Sequence, residues 1–161
     1  MAEIIGMQGF FNGLSLQHLH TLADCAMEIQ FPQGALIFRE GDLANRFYLL
    51  LSGEVVLEAS IEKDETVPLQ ILGPGELLGW SWLFSQYIWH LHARAIEPSR
   101  AIFFYGTRLR ELCENDHDLG YEMFKRISQV MMQRLQSTRR LLLEGHKAAV
   151  CRASDWEPGA R

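Results

Sequence analysis

Two stretches decide how the chain reads: Phe31-Pro32-Gln33-Gly34-Ala35-Leu36-Ile37-Phe38-Arg39-Glu40-Gly41-Asp42, and then Phe47-Tyr48-Leu49-Leu50-Leu51-Ser52-Gly53-Glu54-Val55. Each apolar run is too short for a helix and ends in a glycine turn, so both read as strands. The same pattern continues to Phe104. Candidate strands are Ala35–Arg39, Arg46–Leu51, Glu54–Ser60, Val67–Leu72, Leu91–Ala95 and Arg100–Phe104. The turns between them include Glu40-Gly41-Asp42, Ser52-Gly53, Lys63-Asp64 and Gly73-Pro74-Gly75. Short strands so punctuated predict an antiparallel β-roll or barrel.

Working outward, Leu14 to Glu28 is helical in pattern. Ser15 is placed as a cap, and Leu19, Leu22, Ala23 and Met27 recur at helical spacing. After Thr107 the helical pattern returns. Phe124, Ile127, Met131, Leu135, Thr138 and Leu142 step by three or four residues along one face. Gly145 is expected to end or bend that helix. The expected organisation is an N-terminal helical segment at 1–30, a β-roll at 31–106, C-terminal helices at 107–145 and a tail at 146–161. A long helix beside a small roll must cover its apolar stripe. The expected cover is a second copy, making a homodimer through Phe124, Ile127, Met131, Leu135 and Leu142.

The 161 residues carry 15 Lys+Arg against 20 Asp+Glu, a net charge of −5, which argues against a nucleic-acid binder. Residues 1–124 hold seven basic and seventeen acidic residues, and 125–161 hold eight and three. The basic excess reads first as a solvated helix face and second as a site for an acidic partner or nucleic acid. Cys25, Cys113 and Cys151 are odd in number and far apart, which fits a reducing compartment and no zinc knuckle. No secretory signal or long apolar span is evident, so the expected location is the cytoplasm, with no membrane contact. Phosphate-loop, nucleophile-elbow and H-E-x-x-H motifs are missing, and the chain reads as a non-enzyme.

Phe31–Asp42 and Phe47–Val55 resemble the opening of the cyclic-nucleotide-binding domain family, F-x-x-G-x-x-I-x-x-x-G-D and then F/Y-x-I/L-x-x-G-x-V. Leu72-Gly73-Pro74-Gly75-Glu76-Leu77-Leu78-Gly79 is similar to the family's L-G-P-G-D-x-F-G, and Ala93-Arg94-Ala95 to its V-R-A strand. The resemblance runs from about residue 10 to 143. It is nearest to the sensor half of catabolite-activator and FNR-type regulators, and it implies a β-roll of double-stranded β-helix type with flanking helices. Those regulators continue into a helix-turn-helix domain of about 60 residues or more. Sixteen residues follow Gly145, so direct DNA binding is not expected.

The resemblance also locates a departure. Binding members carry G-E-L/I-A-L and then R-S/T-A-x-V-R-A; the glutamate holds the ribose and the arginine the cyclic phosphate. Here Trp80 stands at the glutamate position, Trp89 at the arginine position and His90 at the Ser/Thr position. Losing both charged partners, with a buried phosphate left without its counter-charge, should weaken nucleotide binding roughly a thousandfold or more. The degenerate ligand cassette is therefore Gly79, Trp80, Ser81, Trp82, Leu83, Trp89, His90 and Leu91. Backbone N–H groups of Ser81–Leu83 could face an anion. The crowd of Trp80, Trp82, Phe84, Tyr87 and Trp89 reads either as a filled core or as an aromatic box for an unknown small ligand.

The expected role is a stand-alone regulatory module, a small-ligand sensor or adaptor, with no known cofactor. One alternative is a ligand-free protein-interaction or dimerisation module with an unidentified protein partner. A second is a cupin-like metal-dependent enzyme using His90, His92 and Glu97. Strand alternation opposes the metal: Trp89, Leu91, Ala93 and Ala95 should face inward, leaving His90, His92 and Arg94 outside. His18 and His20 are expected to face solvent.

Overall fold

The computed structural model describes residues 1–62, 65–83 and 87–154, with side chains to Gly145. Two compact units follow one another, Met1–Met123 and Phe124 onward. The first holds α1 (Ala2–Gly6), a 3₁₀ turn at Gly9–Phe11 and α2 (Leu16–Ala23). Eight strands follow: β1 (Ala26–Phe31), β2 (Leu36–Phe38), β3 (Arg46–Ser52), β4 (Val55–Glu62), β5 (Glu65–Leu72), β6 (Leu77–Leu78), β7 (His92–Ala95) and β8 (Ser99–Tyr105). Then come α3 (Gly106–Asn115) and α4 (His117–Ser154).

The strands form two antiparallel four-stranded sheets, β1-β8-β3-β6 and β2-β7-β4-β5. This is the expected roll. All six expected strands are present within a few residues of their expected ends. The chain crosses between sheets at tight corners. Gly53 makes one of them, with φ +86°. A Cβ there would lie 2.6 Å from the Ser99 Cα and 2.7 Å from the Pro98 carbonyl, so the β3–β4 corner rests directly on the β7–β8 corner. Inward residues of both sheets make the core: Tyr48 and Leu50, Val55 and Leu57, Leu72, Leu78, Ala93, Ala101 and Phe103. Alternation along each strand sends these to one side and charged neighbours to the other.

Three expectations change. The N-terminal helix is shorter than Leu14–Glu28, because Ala26–Phe31 pairs along the whole of Ser99–Phe104. Ladder hydrogen bonds and inward packing of Ile29 and Phe31 outweigh the helical spacing of Leu22 and Met27. The roll thus begins before residue 31. The two-residue strand β6 is too short to have been read from pattern. Gly145 does not end α4, which continues through the first part of the expected tail to Ser154; residues 155–161 lie outside the described residues.

Ser15 caps α2 as expected, its hydroxyl accepting from His18 N–H at 3.1 Å. Asp116 opens α4 by accepting from Leu119 N–H at 3.0 Å. His18 does not face open solvent. Its Nε2 lies 3.3 Å from an Asp116 carboxylate oxygen, joining α2 to the start of α4. In the second unit, Phe124, Leu135 and Leu142 are exposed, and Met131 is half-buried. Ile127 departs from the expected stripe because it is buried, 1 % exposed.

Candidate functional site

The turn Gly73-Pro74-Gly75-Glu76 delivers β6 into the roll. Glu76 serves this turn, its carboxylate accepting from Gly73 N–H at 2.8 Å. The chain then reaches Gly79 at φ +78° and enters a 3₁₀ turn over Ser81–Leu83. Across the interior lies Trp89. Its N–H donates to the Asp42 carbonyl at 2.9 Å, and its carbonyl accepts from Gly41 N–H at 2.9 Å. The glycine turn at residues 41–42 therefore fixes the Trp89 backbone.

From that anchor the indole turns inward and is 4 % exposed. A Cβ on Gly79 would lie 2.6 Å from the outer carbons of the Trp89 ring, so only glycine lets the indole sit there. The other face stacks on Phe38, with centroids 3.9 Å apart and planes 13° from parallel. Phe38 in turn stacks on Tyr48 at 6.3 Å, and Tyr48 meets Phe31 at 6.0 Å. An aromatic column thus fills the interior of the roll.

What remains open is a cavity of about 80 Å³, lined by Phe38, Leu57, Gly79, Trp80, Ser81, Trp89, His90 and Leu91. Six of the eight residues expected in the cassette meet here. Trp82 and Leu83 do not. Trp82 is fully buried and packs on Phe47 at 6.0 Å. Its indole N–H has no hydrogen-bond partner among the described residues. The Leu83 N–H donates to the Trp80 carbonyl at 3.0 Å, so it is not offered to an anion. Phe84 lies outside the described residues. Phe38 and Leu57 were not singled out from the sequence, although both occupy inward positions of short strands beside Ala93.

Tyr87 takes φ +47°, a left-handed conformation that is uncommon outside glycine. Its ring carries the Arg110 guanidinium 4.3 Å above it. Arg94 is no substitute for the missing phosphate ligand. It turns outward, its Nε 3.4 Å from Glu58 and its Nη1 donating to the Gly34 carbonyl at 3.3 Å. No Lys or Arg lines the cavity among the described residues.

Ala93 and Ala95 are fully buried, His90 is exposed and His92 faces outward, as alternation requires. Among the described residues no three His, Cys, Asp or Glu converge as metal ligands. The set His90, His92 and Glu97 is not assembled, because His92 is engaged elsewhere. Its Nδ1 accepts from Glu40 N–H at 3.3 Å, and its Nε2 lies 2.9 Å from the Ser60 hydroxyl. Nδ1 accepts, so the neutral ring carries its proton on Nε2 and donates to Ser60. A ring in that tautomer cannot serve as base for the hydroxyl, so Ser60-His92-Glu40 is a structural clasp. Glu40 completes it by accepting from Ser60 N–H at 3.0 Å, which holds its carboxyl below the ordinary range. Cys25 and Cys113 are half-buried free thiols, both pushed up by burial, Cys113 to about 11.

The sequence profile described as "Cyclic nucleotide-binding domain" matches residues 28–116. A crystal structure from Geobacter metallireducens GS-15, provisionally assigned to cyclic nucleotide binding, superposes with TM-score 0.75 at 32 % identity, covering 83 % of this chain and 97 % of that one. The catabolite activator protein of Thermus thermophilus gives TM-score 0.67 at 25 % identity, covering 83 % of this chain and 61 % of its own. A CRP-like cAMP-activated global transcriptional regulator of Mycobacterium tuberculosis is 24 % identical over 144 residues, 89 % of this chain. The chain spans 62 % of that regulator's length. No helix among the described residues is long and apolar enough to cross a membrane.

Proposed function

The chain belongs to the cyclic nucleotide-binding domain family, and from that premise we propose that it is a non-enzymatic regulatory module whose roll no longer grips cyclic AMP or cyclic GMP. One observation supports this reading: Trp89, which the motif resemblance sets at the family's phosphate-binding arginine, is seated on Gly79 and stacked on Phe38. Two effects add. The interior space of about 80 Å³ is well short of the roughly 300–1,000 Å³ that drug-sized ligands occupy. The charge that would offset a buried phosphate is gone as well. Each missing charge-assisted contact contributes about 1.5–3 kcal/mol, so losing two weakens binding by about a hundredfold to ten-thousandfold.

The output side of the module is its C-terminal helix. Phe124, Leu135 and Leu142 lie exposed at heptad-like spacing with Met131 between them. A second copy offers the same stripe, so the helix pairs with itself in a homodimer.

Calorimetry of the wild-type chain with cyclic AMP and cyclic GMP tests the reading, with no heat of binding expected at micromolar concentration. The double variant Trp80→Glu/Trp89→Arg, which restores the family's two charged residues, is expected to bind at least a hundredfold more tightly than wild type. Micromolar affinity in the wild type refutes the reading. Sedimentation of wild type against Leu135→Lys tests the dimer separately; a wild-type monomer rejects it.

A further inference from the structure

We propose that His92 is a proton-operated latch: on taking up a second ring proton it releases the Glu40 N–H and loosens the turn that anchors Trp89. Residues 40–44 run antiparallel to residues 87–92 and are zipped to them by hydrogen bonds. Ala44 N–H donates to the Tyr87 carbonyl at 2.6 Å, Leu43 bridges to Ile88, and Trp89 exchanges two bonds of 2.9 Å with Gly41 and Asp42. The acceptors in these bonds are backbone carbonyls, which do not change charge between pH 5 and 8.

The next rung differs. β2 and β7 pair again at Phe38 and Ala93, so residues 39–40 stand opposite residues 90–92 and no regular ladder closes the gap. The His92 imidazole closes it instead, its Nδ1 accepting from Glu40 N–H at 3.3 Å. A protonated Nδ1 is a donor and cannot accept. Donor then faces donor, and the Glu40 N–H loses its partner. Nε2, 2.9 Å from the Ser60 hydroxyl, donates in both forms, so only Nδ1 changes role.

The surroundings allow the charged ring to form. The His92 side chain is 16 % exposed, so protons reach it. Its Nε2 lies 3.8 Å from the Glu40 carboxylate, which is held below the ordinary range chiefly by the Ser60 N–H and therefore stays charged while imidazoles titrate. An opposite charge at this distance favours the imidazolium. Among the described residues the other charged or titratable groups around the ring are Arg39 beside Glu40, Glu58 and Glu62 on β4, Glu65 on β5, and His90 and Arg94 on its own stretch of chain. Arg94 is offset by Glu58, 3.4 Å from its Nε. That leaves Glu40, Glu62 and Glu65 against Arg39 and, once protonated, His90. The latch is thus closed with a neutral ring and opens as pH falls through the imidazole range. Opening makes the two Trp89 bonds the terminal rungs of the zipper, and terminal rungs fray first. The indole that fills the roll answers to pH in this way whether or not the roll accepts a nucleotide.

The experiment titrates the full ¹⁵N-labelled chain from pH 8 to pH 5 and follows the His92 ring nitrogens together with the Glu40, Gly41 and Trp89 amides. At pH 8 the ring is expected to carry its proton on Nε2. As it gains the second proton, the three amides are expected to shift with the same midpoint. Glu40 amide exchange, corrected for the intrinsic effect of pH, is expected to be about two- to tenfold faster at pH 5, the worth of one hydrogen bond. His92→Asn offers a non-titrating acceptor near the Nδ1 position and is expected to abolish the three shifts, whereas His90→Gln is expected to keep them. Should His92→Asn fold poorly, coincidence of the midpoints in the wild type decides alone. A ring protonated on Nδ1 at pH 8, a ring that does not titrate in this range, a Glu40 or Trp89 amide that ignores the ring, or loss of the response in His90→Gln overturns the proposal.

Discussion

Replacing Trp89 by alanine tests whether the indole holds the roll interior together. The side chain is 4 % exposed, so nearly all its area leaves water on folding. A buried aromatic of about 150–250 Å² at about 25 cal/mol per Å² contributes roughly 4–6 kcal/mol as an upper figure. Measured Trp→Ala losses in cores run about 3–5 kcal/mol. For a chain of this size each kcal/mol moves the midpoint by about 2–4 °C, so a fall of about 6–20 °C is expected. The stack on Phe38 adds a specific share. In a double-mutant cycle with Phe38→Leu, the coupling should be about 0.5–1.5 kcal/mol beyond area alone. Urea unfolding followed by far-ultraviolet circular dichroism reads both quantities without relying on the fluorescence the substitution removes. A loss below about 1 kcal/mol with no coupling would mean that the indole is not packed between Gly79 and Phe38. Trp89→Ala also separates space from charge. It enlarges the cavity yet supplies no cation, so cyclic AMP should still fail to bind at micromolar concentration.

Three further outcomes follow from individual contacts. Gly53→Ala should destabilise by at least about 2 kcal/mol, from the left-handed φ and from overlap with Ser99 and Pro98, measured by urea midpoint; a loss under half that figure contradicts the corner packing. Glu40 has its carboxyl lowered chiefly by the Ser60 N–H, so its stabilising share is full above the ordinary glutamate pKa and disappears as pH falls through the lower folded value. Wild type should therefore exceed Glu40→Gln in stability at pH 7 and converge with it in acid, whereas a gap that stays constant with pH would sink the assignment. Cys113, at about 11 against an ordinary 9.0, should react with iodoacetamide at pH 8 about a hundredfold more slowly than an exposed thiol; labelling at the exposed rate, read by mass spectrometry of its peptide, contradicts its burial.

The roll was legible because its corners are written in glycine. Gly34, Gly41, Gly53, Gly75 and Gly79 all take positive φ, and each closes a strand or opens a turn. Local grammar of this kind survives folding because the alternative, a side chain at left-handed φ, costs about 1–2 kcal/mol per residue. Where structure depended on distant partners, the pattern failed. Met27 continued the helical spacing of Leu22 and is 52 % exposed, yet its segment is a strand because Ser99–Phe104 stands beside it.

The candidate site divides along the same line. Trp80 and Trp89 could be placed by their distance from Gly79 and from Ala93-Arg94-Ala95, and strand alternation put Trp89 inside. Phe38, the ring that Trp89 stacks on, lies on another strand, and no spacing rule connects the two. Trp82 shows the opposite error: nearness in sequence grouped it with the pocket, but the 3₁₀ turn at Ser81–Leu83 rotates it onto Phe47 instead. One turn of backbone thus sends Ser81 to the cavity and Trp82 to the core, which is why Trp80 and Trp82, two residues apart in sequence, belong to separate packing units in space.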